Sequence, residues 1–141
     1  MEVAKYDYKM AKFDQENVEI LLRQLGLNTE HYFGAMTKPS NMKRMLVGNV
    51  ADFSNRYCIV SFDETQIHLI MFGRLDTKKV TEIFRINRAE ISKIKLSNIL
   101  ISYMLHMKAD GNKLKFQVFK IFGKFNKIKS SIELFKTIYC Q

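Results

Sequence analysis

The segment from Ile99 to Phe119 is predicted to be a β-hairpin, and it constrains the fold more than any other feature of the sequence. Apolar and polar residues alternate on both sides of Asp110-Gly111. Successive side chains of a strand point to opposite faces, so this alternation predicts one buried face and one exposed face. Asp-Gly favours a two-residue turn, because both central residues of a type I′ turn need a positive φ. On the first arm, the predicted inward residues are Ile99, Ile101, Tyr103, Leu105 and Met107.

Further strand-like segments precede the hairpin, and a helical pattern follows it. The predicted strands are residues 45–50, 57–62, 66–72, 80–86 and 91–96. From Ile128 to Tyr139, apolar residues recur at spacings of three and four, which predicts an amphipathic helix. Seven antiparallel strands hide their edges by folding onto themselves, and an apolar-faced helix covers the open end. The expected fold is therefore α+β, mainly β: a seven-stranded antiparallel barrel with a C-terminal helix.

The beginning of the chain is predicted to be mainly helical. Asp14 is a suitable N-cap and Gly26 a suitable C-terminal stop for one amphipathic helix. A second short helix is predicted to begin at Thr29. Because such short helices do not bury their apolar faces alone, we expect an N-terminal helical extension over residues 1–42 and a barrel domain over residues 43–141.

The segment before Asp14 has two interpretations. Tyr6, Tyr8 and Met10 alternate with polar residues, as they do in a short strand. In the other interpretation, the segment becomes ordered only against a partner.

Positive charge is concentrated in the second half of the chain. The net charge of the whole chain is +9. Residues 1–73 hold 8 basic and 9 acidic side chains, whereas residues 74–141 hold 15 basic and 5 acidic ones. A basic half attracts the phosphate groups of lipids or nucleic acids.

The expected location is cytoplasmic, with a peripheral association with a membrane left open. The chain has only two cysteines and no C-x-x-C spacing, which favours a reducing compartment over a disulfide scaffold. Its charged N-terminal segment does not look like a signal peptide. The longest uncharged run, Leu96–Met107, is shorter than the ~18 apolar residues that a spanning helix needs.

The order of these elements carries a family resemblance. Tyr57–Leu69 has the pattern of a strand, a polar turn and a strand, and Thr81–Leu96 that of a strand pair joined at Ala89-Glu90-Ile91. With the Asp110-Gly111 turn and the closing helix, residues 43–141 resemble the small bacterial pleckstrin-homology-like domains and the related GRAM-type domains. The resemblance implies the barrel with its C-terminal helix and a module that binds rather than catalyses.

Patterns typical of catalytic or metal sites are missing from the sequence. His31, His68 and His106 stand apart from one another, and no His-x-x-x-His pair or acidic cluster offers metal ligands. The glycines are isolated, so no loop has the glycine spacing that cradles phosphate. We therefore expect no enzymatic activity, no metal and no cofactor.

Basic side chains near the hairpin are the candidate binding residues. They are Arg85, Arg88, Lys93, Lys95, Lys113 and Lys115. The four lysines occupy alternate positions on two predicted strands, facing solvent, and the arginines flank the end of the preceding strand. On one face they form a cationic patch, in which each side chain contributes about 1 kcal/mol near an anionic bilayer. The alternative is a solvated face whose lysines protect strand edges from pairing.

The expected function is that of a non-catalytic interaction module that contacts a protein partner or an anionic membrane surface. A homo-oligomer formed through a sheet edge or through the N-terminal helices is left open. The alternative function is a small basic nucleic-acid-binding protein. Such a protein is expected to expose aromatic side chains among its basic residues, whereas most aromatic residues here occupy apolar positions.

Overall fold

The computed structural model describes residues 1–39 and 55–140, and these ranges contain eight strands and two α-helices. The strands are β1 (Glu2–Lys9), β2 (Tyr32–Thr37), β3 (Tyr57–Phe62), β4 (Gln66–Phe72), β5 (Lys79–Asn87), β6 (Ile91–Ile99), β7 (Ser102–Ala109) and β8 (Asn112–Phe119). The helices are α1 (Gln15–Gln24) and α2 (Ile128–Tyr139), and a single 3-10 turn (Arg88–Glu90) links β5 to β6.

All eight strands belong to one antiparallel sheet. Their order is β1-β5-β4-β3-β2-β8-β7-β6. Strands β2 to β5 form one meander and β6 to β8 a second, and the two meet where Ala35 of β2 lies opposite Val118 of β8. Strand β1 extends the first meander by pairing with β5. The predicted seven-stranded barrel is therefore wrong: within residues 1–39 and 55–140 the sheet has eight strands and is open, with β1 and β6 at its edges.

Several predicted elements are confirmed. Strands β3 and β4 have the predicted bounds, and a C-terminal helix follows the last strand. Helix α1 begins after Asp14, whose carboxylate accepts from the backbone N–H of Asn17 at 2.9 Å. In the β7–β8 turn, Asp110 has a φ of 51° and Gly111 a φ of 77°, as a type I′ turn requires.

Within residues 1–39, β1 and β2 belong to the sheet, contrary to the predicted helical extension, and α1 is the helix found there. The helix predicted after Thr29 is wrong, because residues 32–37 form β2 between β3 and β8. Before β2, the side-chain oxygen of Asn28 accepts from the backbone N–H groups of Glu30 (2.8 Å) and His31 (3.2 Å), which makes a turn there instead of a helix start. The alternation near Tyr6 is a strand, β1. The predicted strand at residues 45–50 lies outside the described residues.

The sheet carries a hydrophobic core on each of its two faces. The inner core joins both meanders to α2, whose Phe135 ring packs against Phe33 at 5.3 Å and Phe62 at 5.1 Å between ring centroids. The outer core joins α1 to the other face of β3, β4 and β5, with Leu22 and Phe72 fully buried. The outer face of β6, β7 and β8 has no helix over it in the part of the chain that the structure describes.

The predicted inward face of the hairpin is only partly correct. Leu105 and Met107 are buried in the inner core. Ile99 and Ile101, however, are 47% and 81% exposed. The reason is that β6 extends to Ile99, which pairs with Ser102, so residues 100 and 101 form the β6–β7 turn instead of the first arm of the hairpin.

Candidate functional site

Five lysines and one histidine form two rows across the outer face of β6, β7 and β8. We call this set the lysine face. In the first row, Lys108 lies opposite both Lys93 and Lys113. In the second row, His106 lies opposite both Lys95 and Lys115. The rows are two residues apart on each strand, so the six side chains share one face.

The alternation of the three strands creates this face. Ile94, Met107 and Leu114 occupy the intervening positions and pack into the inner core. Burial of these apolar residues fixes the register, because a slip of one residue would move them to the exposed face. The same burial therefore holds the lysine rows outward.

The lysine face lines an open depression of about 470 Å³. All six residues of the face contribute to the lining, together with Pro39, Ser97, Met107 and Leu114. A small-molecule site is usually a concave and mostly apolar pocket with a few polar groups. This depression is open, and five lysines are among the residues that line it, which fits an extended, negatively charged surface.

The lysine face is electrostatically unbalanced. Like charges directly opposite each other on neighbouring strands are destabilising. Within residues 1–39 and 55–140, the ion pairs lie elsewhere, and none involves a lysine of this face. From residue 91 to residue 127, the sequence holds eight lysines and a single acidic residue, Asp110. A bound anion would therefore relieve repulsion that the fold itself leaves in place.

Protection of strand edges explains only part of this arrangement. Strand β6 is an edge strand, so Lys93 and Lys95 fit that role. Strands β7 and β8 are interior strands of the sheet, with β8 paired on both sides. Edge protection therefore gives no reason for Lys108, Lys113 or Lys115.

The six predicted binding residues are divided among three places. Lys93, Lys95, Lys113 and Lys115 lie together in the lysine face. Arg85 lies instead on β5 and forms an ion pair with Glu2 of β1.

Arg88 lies in the 3-10 turn, where its guanidinium joins separate elements. It donates to the carbonyl oxygens of Ile138 (2.9 Å) and Glu64 (3.3 Å). The same group lies 5.5 Å from the centre of the Tyr139 ring. It also borders a second depression, which it shares with Lys93. Arg88 thus ties α2 to two turns of the sheet.

The prediction missed His106 and Lys108, the two members of the face that lie on β7. Their alternate spacing is visible in the sequence, at the outward positions of the first hairpin arm. Their place in the rows depends on how β7 pairs with both neighbours, which periodicity along one strand does not define.

The cysteines and the other histidines do not assemble into a chemical site in the described residues. Burial raises the pKa of the Cys58 thiol to about 12, so it stays protonated at neutral pH. Burial also lowers the pKa of His68, which lies half-buried on β4. No group of three or more His, Cys, Asp or Glu side chains in the described ranges is placed to hold a metal ion.

Among the described residues, no helix has both the length and the apolar character needed to cross a membrane. Comparisons of this chain with protein-family models, with curated proteins and with solved structures found no match.

Proposed function

We propose that this chain is a non-catalytic binding module whose lysine face binds an anionic membrane surface. The observation that carries the proposal is the pair of cross-strand rows, in which five lysines have no ion-pair partner among the described residues. A protein that only needed solubility would gain more from interspersed charges of both signs.

The strength of the attraction between the lysines and an anionic leaflet determines how tightly the protein should bind. Each lysine near an anionic leaflet contributes about 1 kcal/mol, and this attraction falls off within a Debye length. Five lysines together therefore contribute roughly 5 kcal/mol at most, which corresponds to an affinity near the millimolar range. The proposed binding is weak, reversible and sensitive to salt.

We also propose that the chain is related to the pleckstrin-homology-like domains. Support comes from the succession of two antiparallel meanders, β2 to β5 and β6 to β8, followed by a helix against the inner face. Strand β1 is an addition to that plan.

Binding to nucleic acid is the less favoured function. Proteins that bind single strands without sequence preference stack bases on aromatic side chains beside their basic residues. The two lysine rows contain no Phe, Tyr or Trp side chain, and their one aromatic ring is the imidazole of His106. Phosphate contacts alone would still give binding that weakens steeply with salt.

Co-sedimentation of the full chain with vesicles tests the proposal. Vesicles with about 30 mol% phosphatidylserine should bind the protein at low salt, and vesicles of phosphatidylcholine alone should not. Lys93→Glu with Lys95→Glu should abolish the binding. The new carboxylates would face Lys108 and His106 across β6 and β7, so the fold should be retained.

A matched control separates the lysine face from net charge. Lys12→Glu with Lys129→Glu makes the same change in charge at two exposed lysines that lie outside the rows and outside the ion pairs of the described residues. Equal losses in the two double variants would contradict the proposal, as would tight binding of a labelled oligonucleotide at physiological salt. Absence of binding to both ligands would point to a protein partner.

A further inference from the structure

Four exposed aliphatic side chains gather at one end of β6, β7 and β8. They are Ile99 (47% exposed), Leu100 (89%), Ile101 (81%) and Ile121 (82%), and we call them the apolar tip. Only five large apolar side chains are exposed in the described residues, and the fifth, Leu75, lies in the β4–β5 loop. Exposed apolar residues scattered singly need no explanation, whereas a cluster marks an interaction site.

Lys120 joins the two segments that form the apolar tip. Its ammonium group donates to the carbonyl oxygen of Leu100 at 2.6 Å and to the side-chain oxygen of Asn98. Ile121 is the next residue of the chain. The tip is thus a defined surface of the fold, with a lysine between its two parts.

The apolar tip is continuous with the lysine face. On β6, Ile99 has the same phase as Lys93 and Lys95, so all three lie on the outer face of the strand. At a rise of about 3.4 Å per residue, Lys95 lies roughly 13 Å from Ile99 along the strand. One surface laid obliquely against this face would contact the tip and the lysine rows together.

Leu100 adopts a backbone conformation that does not suit its side chain. It lies at the first position of the two-residue turn between Ile99 and Ser102, with a φ of 42°. Hairpin turns at such positions favour glycine, asparagine or aspartate, because a left-handed conformation is strained for a branched side chain. A leucine there destabilises the turn. It also places an aliphatic side chain at the most exposed position of the apolar tip.

The shape and chemistry of the tip favour a bilayer over a protein as its partner. The tip consists of the exposed β6–β7 turn region and Ile121, and its four apolar side chains are aliphatic. Lys120 lies between the two segments of the tip, so a long cationic side chain accompanies the apolar ones. Such side chains bury their methylene stems and keep their charge at the headgroups.

We propose that the apolar tip inserts into the boundary between headgroups and acyl chains of an anionic bilayer, while the lysine face lies on the headgroups. This inference rests on the proposed function of the lysine face and adds a second, apolar component to the binding. The lysine rows supply attraction that salt screens, whereas the tip supplies attraction that salt leaves intact.

An environment-sensitive fluorophore placed at the tip tests the insertion directly. The label is attached to Leu100→Cys in a Cys140→Ser background, because Cys58 is buried and Cys140 is the other free thiol. With vesicles that contain about 30 mol% phosphatidylserine, the emission should shift to the blue as the label leaves water. The same label at Leu75→Cys, on the exposed loop residue, should show no shift. Bound protein without a shift at position 100 would overturn the inference.

Partition measurements separate the apolar and the charged components. Leu100→Asn with Ile101→Asn should lower vesicle partition by about tenfold or more at both low and high salt. Leu75→Asn is the matched control and should leave partition unchanged. Asparagine accepts a left-handed φ, so the substitution at position 100 should not lower the thermal midpoint of the protein.

The outcomes distinguish the two proposals. If the tip variant binds like the parent while Lys93→Glu with Lys95→Glu does not bind, the insertion is wrong and the function of the lysine face stands. If the lysine variant binds like the parent, the proposed function fails and the inference fails with it. Loss of binding in both variants, together with the blue shift, supports both proposals.

Discussion

Arg56 is a basic side chain that the fold turns inward. It is 8% exposed, and its guanidinium pairs with Glu82 at 2.5 Å and donates to the carbonyl oxygen of Phe72 at 3.0 Å. A positive charge contributes to a binding surface only when it faces solvent and lacks an internal partner. This contrast with the lysine face shows why residue type alone does not locate a binding site.

The Arg56–Glu82 pair supports a first prediction. Glu82→Ala should lower the free energy of unfolding by about 3 kcal/mol, because it removes the Glu82 carboxylate from beside a buried guanidinium. Glu82→Gln should cost less, since the amide oxygen still accepts a hydrogen bond. Chemical denaturation at neutral pH measures both values. An unchanged midpoint for Glu82→Ala would show that the pair contributes no net stability.

Gly34 supports a second prediction, because the Phe122 ring lies directly against it. A Cβ atom at position 34 would lie 2.5 Å from Cδ1 of Phe122. Gly34→Ala should therefore destabilise the protein by about 1–3 kcal/mol through overpacking.

A double-mutant cycle assigns the cause of that loss. In a Phe122→Ala background, Gly34→Ala should cost much less than in the parent protein, because the ring is gone. Equal costs in the two backgrounds would mean that the backbone of β2, and not the ring, rejects the side chain.

The two hairpin turns of the second meander differ in how well sequence and conformation agree. Asp110-Gly111 supplies residues that accept a positive φ, and the turn lies where the sequence predicts it. Leu100-Ile101 supplies no such residue, and its turn was not predicted. Disagreement between the sequence of a turn and its conformation is typical of a functional or strained site.

The β7–β8 turn gives a third prediction, one that isolates backbone strain. A Cβ atom at Gly111 would meet no atom within 4 Å, so any cost of a substitution there arises from its φ of 77°. Gly111→Val should destabilise the protein by about 1–2 kcal/mol. Gly111→Asn is the control, because asparagine tolerates this conformation, and it should cost clearly less. Similar midpoints for the two variants in urea would contradict the turn assignment.

Elements were predictable from the sequence where local signals were unambiguous. Asp14 indicated the start of α1, a continuous apolar segment between turn residues indicated β3, and alternation indicated β4. Strand β2 was missed because a six-residue apolar segment has no period that separates strand from helix. What decides its conformation is pairing with β3 and with β8, and the residues of β8 are distant in sequence.

The candidate site was partly predictable for the same reason. The outward phase of Lys93, Lys95, Lys113 and Lys115 follows from alternation within each strand. The inclusion of Lys108 and the exclusion of Arg85 depend on partners across the sheet. Periodicity predicts a face, and only strand pairing shows which faces adjoin.

At the scale of the molecule, the outer faces of the two meanders differ in their charge and in whether a helix packs on them. Helix α1 covers the outer face of the first meander, and the lysine face lies on the outer face of the second. On the outer face, the first meander therefore carries a hydrophobic core, whereas the second keeps its charge accessible.

This distribution gives a fourth prediction, in which salt has opposite effects on stability and on binding. Raising NaCl from about 0.01 M to 0.15 M shortens the Debye length from about 30 Å to 8 Å. Screening of the lysine rows should then raise the free energy of unfolding by on the order of 1 kcal/mol. The same change should weaken vesicle binding.

The lysine variant provides the internal check of that prediction. Lys93→Glu with Lys95→Glu should be more stable than the parent at low salt, and the difference should shrink as salt is added. Thermal melts of both proteins across a salt series measure this. A parent whose melting temperature does not rise with salt would show that the rows carry no significant repulsion.

The pairing of β2 with β8, which joins the two meanders, has a consequence for the time course of folding. Ala35 and Val118 pair although roughly 80 residues separate them in the chain, and β1 meets β5 over a similar separation. A nascent chain can form the hairpins of each meander early, but the sheet stays in two parts until β8 is complete. Folds dominated by such distant pairings fold in about milliseconds to seconds, because loop closure must precede the contacts that stabilise it. Stopped-flow refolding should fall in that range, and a much faster phase that completes the sheet would contradict it. The lysine rows need only β6, β7 and β8. They can therefore form before β2 pairs with β8.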